Sequence, residues 1–174
     1  MIAAVLLAAG AGTRFEGPTH KLVAPFRGRR VVDWAHQAAI DAGLPVIVVV
    51  GDLDLGLPNQ VRNPRWAEGI ASSLQAGIAA AGDADAVVVG LGDQPLIPAD
   101  AWRRVAASGA PIAVATYAGK RRNPVRLARS MWPLLPTTGD RGASVLFGDH
   151  PVVEVACEGD AADVDRVEDL ERWS

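Results

Sequence analysis

Leu6–Lys21 reads LLAAGAGTRFEGPTHK, an apolar strand that runs straight into a glycine-rich turn carrying one arginine, Arg14, and one lysine, Lys21. Gly10 and Gly12 are free to take φ > 0 and let backbone N–H groups approach a ligand with no Cβ in the way, so the turn reads as a phosphate cradle with two cations at hand. If it opens a helix, the positive end of that helix faces the same phosphate. The spacing matches neither G-x-G-x-x-G nor the G-x-x-x-x-G-K-[ST] order of a P-loop. On spacing alone, an ordinary strand-to-helix turn accounts for it equally well.

The residues that follow decide how this strand is used. Val31–Ala42 (VVDWAHQAAIDA) has apolar residues at helical spacing and stops at Gly43, after which Leu44–Val50 (LPVIVVV) is a continuous apolar run. That is a helix followed by a buried strand. With the first strand it makes a β-α-β unit, the mark of a parallel sheet covered on both faces. Gly51–Asn63 is short for a crossover with a helix, with a third strand near Val61. Glu68–Ala81 is a second amphipathic helix and Ala86–Leu91 the next buried strand. Pro98–Ser108 reads as helix, with proline early in its first turn, and Pro111–Tyr117 as strand. Arg122–Leu127 is a further short strand, Met131–Leu135 and Arg141–Phe147 are short helices, Val152–Ala156 is a last strand and Asp165–Trp173 a closing helix. No repeat, low-complexity tract or flexible linker interrupts residues 1–174, which are expected to form one domain.

Composition narrows the function. The 174 residues are 49% hydrophobic, enough for one sizeable core, and 17 Lys and Arg against 20 Asp and Glu give a net charge of -3. There is thus no global electrostatic case for nucleic acid or an anionic membrane surface. Cys157 is the single cysteine, which excludes an internal disulfide and a cysteine zinc cluster. Ile2–Ala9 is apolar but has no basic region before it and is too short to span a bilayer, and no other stretch reaches about 18 apolar residues. A cytoplasmic enzyme or binding protein is expected.

Asp93 is the second key position. It follows an all-apolar strand directly, where open α/β sheets place their ligands, and Gly92 and Pro95 hold its turn tight. A carboxylate there suits Mg²⁺, a hard cation that takes one or two protein carboxylates together with phosphate oxygens; a helix cap is the structural alternative. Asp163-Val164-Asp165, after the last strand, supplies a carboxylate that could complete a metal site. His20, His36 and His150 are scattered, and no Ser-His-Asp or Cys-His arrangement stands out. A glycine turn with Arg14 and Lys21, an Asp after a central strand and a late Asp together fit metal-assisted attack on a nucleotide phosphate.

Six stretches in order, Leu6–Lys21, NPRWAEGIASSLQAG (Asn63–Gly77), GDQP (Gly92–Pro95), RNPV (Arg122–Val125), GDRGAS (Gly139–Ser144) and DVDRVEDL (Asp163–Leu170), resemble the molybdenum-cofactor nucleotidyltransferases, specifically the cytidylyltransferase branch of the NTP-transferase-like family. The resemblance spans essentially the whole chain. It implies an α/β fold, a three-layer Rossmann-like sandwich with a mixed, mostly parallel sheet of the nucleotide-diphospho-sugar transferase type. It also implies transfer of a nucleotidyl group from an NTP to a phosphorylated acceptor, with CTP favoured and molybdopterin as the acceptor. Mg²⁺ is the implied cofactor, with Mn²⁺ as a substitute. Leu7, Ala8, Ala9, Gly10, Ala11, Gly12, Arg14 and Lys21 are then placed around base and triphosphate, Asn63, Ser72 and Ser73 near base and sugar, and Asp93 with Asp165 on the metal. Arg14, Lys21 and Asp93 become the catalytic residues. Ala9 stands where the cytidylyl branch carries alanine and the guanylyl branch glycine. Transient contact with a molybdoenzyme or its chaperone is a further implication.

Three departures bear on the acceptor. Arg166-Val167 stands where the family's last motif has Thr-Pro, Asn123 where relatives often carry histidine, and the Gly51–Asn63 connection is short. Competing readings are a guanylyltransferase acting on molybdenum cofactor or on a small phosphorylated acid such as phosphoenolpyruvate or phospholactate, an NAD(P)H-dependent oxidoreductase, and a nucleotide-binding accessory protein. Against the oxidoreductase, Asp52 and Asp54 come too late after the second strand to hold a ribose.

Overall fold

The computed structural model describes residues 1–174. The first strand, β1 (Ile2–Ala8), lies at the centre. A two-residue hairpin, β2 (Pro25–Phe26) and β3 (Arg29–Arg30), precedes α1 (Val31–Asp41), β4 (Val46–Val50) and β5 (Gln60–Arg62). Then come α2 (Ile70–Ala80), β6 (Ala86–Leu91), α3 (Ala99–Ala107), β7 (Ile112–Tyr117), β8 (Lys120–Ala128), β9 (Val153–Ala156) and α4 (Val167–Trp173). The sheet has seven strands in the order β5-β4-β1-β6-β8-β7-β9. Only β8 runs against the others, pairing antiparallel with both β6 and β7. The expected mixed, mostly parallel sheet is therefore observed.

Period-two alternation in β1 divides the core. Ala4, Leu6 and Ala8 pack with Val32, Ala35 and Trp102 of α1 and α3 on one face, while Ala3, Val5 and Leu7 pack with Leu74 and Ile78 of α2 on the other. Both faces being covered is what the continuous apolar runs demand. Gly77 lets α2 seat against β1, since a Cβ there would meet the Val5 side chain. A third, smaller cluster joins Phe15, Phe26, Val31 and Val164, so the hairpin and the C-terminal segment are fastened to each other.

The structure refines several sequence expectations. The glycine turn does not open a helix: the chain passes through coil to a single 3₁₀ turn at Lys21–Val23. Gly12 has φ +64, whereas Gly10 stays outside the left-handed region. The helix expected from Glu68 starts at Ile70, because Gly69 at φ 105 separates it from a 3₁₀ turn at Trp66–Glu68. The two short helices after β8 are 3₁₀ turns, Arg129–Leu134 and Ala143–Leu146. β8 is longer than the apolar residues suggested, and its charged start Lys120–Arg122 forms a hairpin with β7. Pro124 has no N–H to give, and the ladder skips it: Val114 faces Val125, and Ala115 faces Arg122, a local irregularity that keeps proline inside a central strand.

Candidate active site

The strand order reverses direction beside β1. The chain leaves β1 for β4 and β5 on one side, and α2 then returns it to β6 on the other. Loops leaving the carboxyl ends of β1 and β6 thus part around a crevice, the general location of ligands in open α/β sheets. A cleft of about 340 Å³ occupies it, lined by Leu7, Ala8, Ala9, Gly10, Ala11, Lys21, Trp66, Gly69, Ile70, Ser73, Asp93 and Asp140, among others. The turn is pinned from behind by His20. Its Nδ1 accepts from the Leu22 N–H at 3.2 Å, so Nε2 carries the proton and donates to the Gly10 carbonyl at 3.0 Å.

Lys21 and Asp93 meet across this crevice. Lys21 Nζ donates to Asp93 Oδ2 at 2.8 Å, with the two side chains 13% and 18% exposed. Asp93 caps no helix, since α3 begins at Ala99 behind Pro98. Its second oxygen, Oδ1, is buried with no hydrogen-bond partner. An orphaned carboxylate oxygen buried at the crevice is a costly arrangement unless a cation is to be held there.

The C-terminal segment is stitched to the Asp93 loop. The Val164 N–H donates to the Asp93 carbonyl at 2.8 Å. Gln94, 3% exposed, donates from Nε2 to the Ala161 carbonyl at 2.9 Å and to Asp163 Oδ1 at 2.7 Å. Its Oε1 accepts from Asn123 Nδ2 at 3.3 Å. One amide therefore ties β8, the Asp93 loop and Asp163 together. Asp163 keeps an open side toward solvent, yet partial desolvation, and after it the charge of Asp93, raise its pKa, opposed by the Gln94 hydrogen bond and the charge of Lys21. Asp165, the carboxylate singled out from the sequence, instead receives Arg14 Nη1 at 3.2 Å. Asp163 is thus joined to the Asp93 loop through Gln94, and Asp165 to the glycine turn through Arg14.

The remaining sequence candidates divide. Ser73 lines the cleft. Asn63 and Ser72 are buried beneath it, where Asn63 Nδ2 donates to Ser72 Oγ at 2.9 Å and to Ser73 Oγ at 3.0 Å. The single O–H of Ser72 is shared between the backbone carbonyls of Arg65 and Gly69. They brace the start of α2, and it is that helix, through Gly69 and Ile70, that presents its positive end to the cleft. Gly12 and Arg14 lie outside the cleft wall, Arg14 on the exposed rim at 73% exposure. Trp66, His20 and Gln94 were not legible as site residues: an aromatic in a loop, a scattered histidine and an amide gain their meaning only from the contacts that folding makes.

A family model for the MobA-like NTP transferase domain matches residues 4–155. Nicotine blue oxidoreductase of Paenarthrobacter nicotinovorans is 32% identical, the match covering 98% of this chain and 95% of that protein. Among solved structures, Rv0371c from Mycobacterium tuberculosis H37Rv superposes with a TM-score of 0.84 at 31% identity, over 98% of this chain and 96% of that one. A complex of Rv0371c with manganese superposes at 0.78 and 26% identity, over 99% and 97%. A nucleotidyl transferase from Methanothermobacter thermautotroptrophicus shares the fold, with a TM-score of 0.82, 24% identity and 99% and 95% coverage. No helix here is long and apolar enough to cross a membrane.

Proposed function

This chain belongs to the MobA-like NTP transferase family, and from that premise we propose that it transfers the nucleotidyl group of CTP to molybdopterin and releases pyrophosphate. Nucleotidyl transfer is the family's chemistry; the pair of substrates is the proposal. The observation that carries it is the Lys21–Asp93 pair at the crevice, with Asp93 Oδ1 left unpartnered.

The residues have separable tasks. Backbone N–H groups of the Ala8–Ala11 turn and the start of α2 meet the triphosphate. Lys21 and, from the rim, Arg14 offset the charge that grows on the leaving pyrophosphate, a type of electrostatic help worth roughly 3 kcal/mol per group. Trp66 offers a flat face to the base, and Ala9 is the small residue that supports CTP over GTP. Asp93, with a second carboxylate from Asp163 or Asp165, would hold Mg²⁺ or Mn²⁺, which would supply positive charge against that of the phosphates. The orphaned Oδ1 and the raised pKa of Asp163 fit that role, and a relative crystallised with manganese supports it. A screen of the four NTPs with Mg²⁺ against molybdopterin and small phosphorylated acids, read as pyrophosphate release, tests both substrates. CTP with molybdopterin should exceed every other pair.

One finding favours a second reading. A relative named as an oxidoreductase is 32% identical over 98% of this chain, so the same cleft could serve a nicotinamide dinucleotide. The ribose carboxylate such a site uses is lacking: Asp52, after β4, turns to Arg62 at 3.1 Å and does not line the cleft. NADPH oxidation that survives Asp93→Ala would favour this reading, because hydride transfer has no use for that carboxylate.

A further inference from the structure

A groove of about 640 Å³ lies between the β2–β3 hairpin, α1 and the stretch Pro95–Ala99, and it shares no lining residue with the cleft at the crevice. One side is a helical stripe: Trp34, Gln37, Ala38 and Asp41 stand at i, i+3, i+4 and i+7 of α1. The facing wall, Pro95–Ala99, is wholly apolar and begins two residues after Asp93. Its two prolines have no N–H to offer. The hairpin closes one end with Phe26, Arg27 and Arg29. Asp41 is the one carboxylate on the lining; seven residues of helix put it about 10 Å from Trp34. The hairpin end is therefore the cationic one.

The arginines of the hairpin differ in what they hold. Arg30 is engaged, its Nη2 bonding Asp33 Oδ1 at 2.7 Å. Arg27 and Arg29 are exposed and belong to none of the ion pairs of the chain. Each rests over an aromatic ring, Arg27 at 5.1 Å from the centre of Phe26 and Arg29 at 5.1 Å from that of Trp34. Trp34 is itself fixed, donating from Nε1 to the Phe26 carbonyl at 2.8 Å. Arg27 Nε donates to the Trp173 carbonyl at 2.7 Å, which leaves its two Nη groups unused. Stacking of this kind orients a guanidinium fork without neutralising it, so less side-chain freedom is lost when the fork grips a carboxylate. The turn adds to this. Arg27 at φ 48 and Gly28 at φ 81 form the two-residue hairpin loop that Asn-Gly suits best, so an arginine is held there at a conformational cost.

We propose that this groove docks an acidic, aliphatic segment of a partner protein, with its carboxylates on Arg27 and Arg29 and its apolar side chains between Ala38 and the Pro95–Ala99 wall. The complementarity is of charge at the hairpin end and of apolar surface along the rest. A nucleic acid fits less well: the protein carries a net charge of -3, only two cations are free here, and Arg29 already covers a face of Trp34 on which a base would stack. A phosphate ion alone would leave the apolar wall unused. The proposal stands apart from the nucleotidyl-transfer reading, since no residue of that site takes part.

Fluorescence anisotropy of a labelled short peptide of glutamate, leucine and proline, titrated with the full chain at low salt, tests it. The same peptide with glutamine for glutamate, oligothymidylate and inorganic phosphate serve as competitors. The acidic peptide should bind at least about tenfold more tightly than its glutamine counterpart. Arg27→Asn, which suits the left-handed turn, and Arg29→Gln should each weaken it by about fivefold. Arg62→Gln, the same loss of charge far from the groove, should leave affinity within about twofold, and pyrophosphate release should stay at the wild-type level in all three. In nuclear magnetic resonance spectra the peptide should shift the amides of Gln37, Ala38 and Leu96. Equal binding of the two peptides, full affinity in the Arg27→Asn/Arg29→Gln double variant, or stronger competition by oligothymidylate or phosphate than by unlabelled acidic peptide overturns the proposal.

Discussion

Replacing Lys21 by methionine removes the hydrogen-bond partner of the Asp93 carboxylate while keeping most of the apolar stem of the side chain. Asp93 would then have both oxygens unpaired, Oδ1 being buried without a partner already and Oδ2 losing its 2.8 Å bond. Breaking a fully buried ion pair costs about 3–5 kcal/mol because a lone charge stays behind. The side chains here are 13% and 18% exposed, so solvent reduces this to about 2 kcal/mol. For a chain of this size each kcal/mol moves Tm by roughly 2–4 °C, giving a fall of about 6 °C. Circular dichroism melts with and without MnCl₂ would measure it. Because the uncompensated carboxylate is the defect, Mn²⁺ should restore much of the loss in Lys21→Met and stabilise the wild type less. An unchanged Tm would refute the energetic role of the pair. A lowered Tm that Mn²⁺ does not raise would refute the assignment of Asp93 to a cation.

Other outcomes follow from neighbouring contacts. Asp163→Asn keeps an oxygen for the Gln94 hydrogen bond and removes a charge next to Asp93. The folded state raises the Asp163 pKa, so it retains a proton that the unfolded chain has released, and wild-type stability falls as pH rises from the ordinary carboxylate range through the raised value. Asp163→Asn should therefore melt about 2 °C above wild type at neutral pH, lose that advantage in acid below the ordinary carboxylate range, and lose most pyrophosphate release. Gln94→Met deletes hydrogen bonds to Ala161, Asp163 and Asn123; it should cost about 2 kcal/mol and weaken Mn²⁺ binding by about tenfold, seen by electron paramagnetic resonance with CTP present. In the Asp163→Asn background the same change should leave Mn²⁺ affinity unaltered, which a purely structural glutamine would not produce. Gly77→Ala, whose methyl would press on Val5, should destabilise by about 1–3 kcal/mol in urea melts without changing KM for CTP.

Elements were legible where the chain is periodic. β1, β4 and β6 are continuous apolar runs, α1 carries helical spacing and α3 opens behind a proline, so each falls within a residue or two of its expected place. β8 was harder to read because Lys120–Arg122 and Pro124 contradict a central strand, and only the pairing with β7 explains how both are accommodated. In the site, Gly92 and Pro95 made Asp93 conspicuous beside an apolar strand. The different partners of Asp163 and Asp165 were beyond the sequence, since the two stand two residues apart and Gln94 and Arg14, which hold them, lie far away along the chain. Asn63 and Ser72 illustrate another case: polar residues in a motif that fold inward and support Ser73 at the cleft.

The most direct measurement is pyrophosphate release from CTP and Mg²⁺ with molybdopterin, comparing wild type with Asp93→Asn. The account predicts release that requires both substrates and falls by at least about a hundredfold in the variant, whose side chain can still accept from Lys21 but no longer carries the charge for a cation. Near-wild-type release by Asp93→Asn, or a wild-type protein that oxidises NADPH and releases no pyrophosphate, would contradict it.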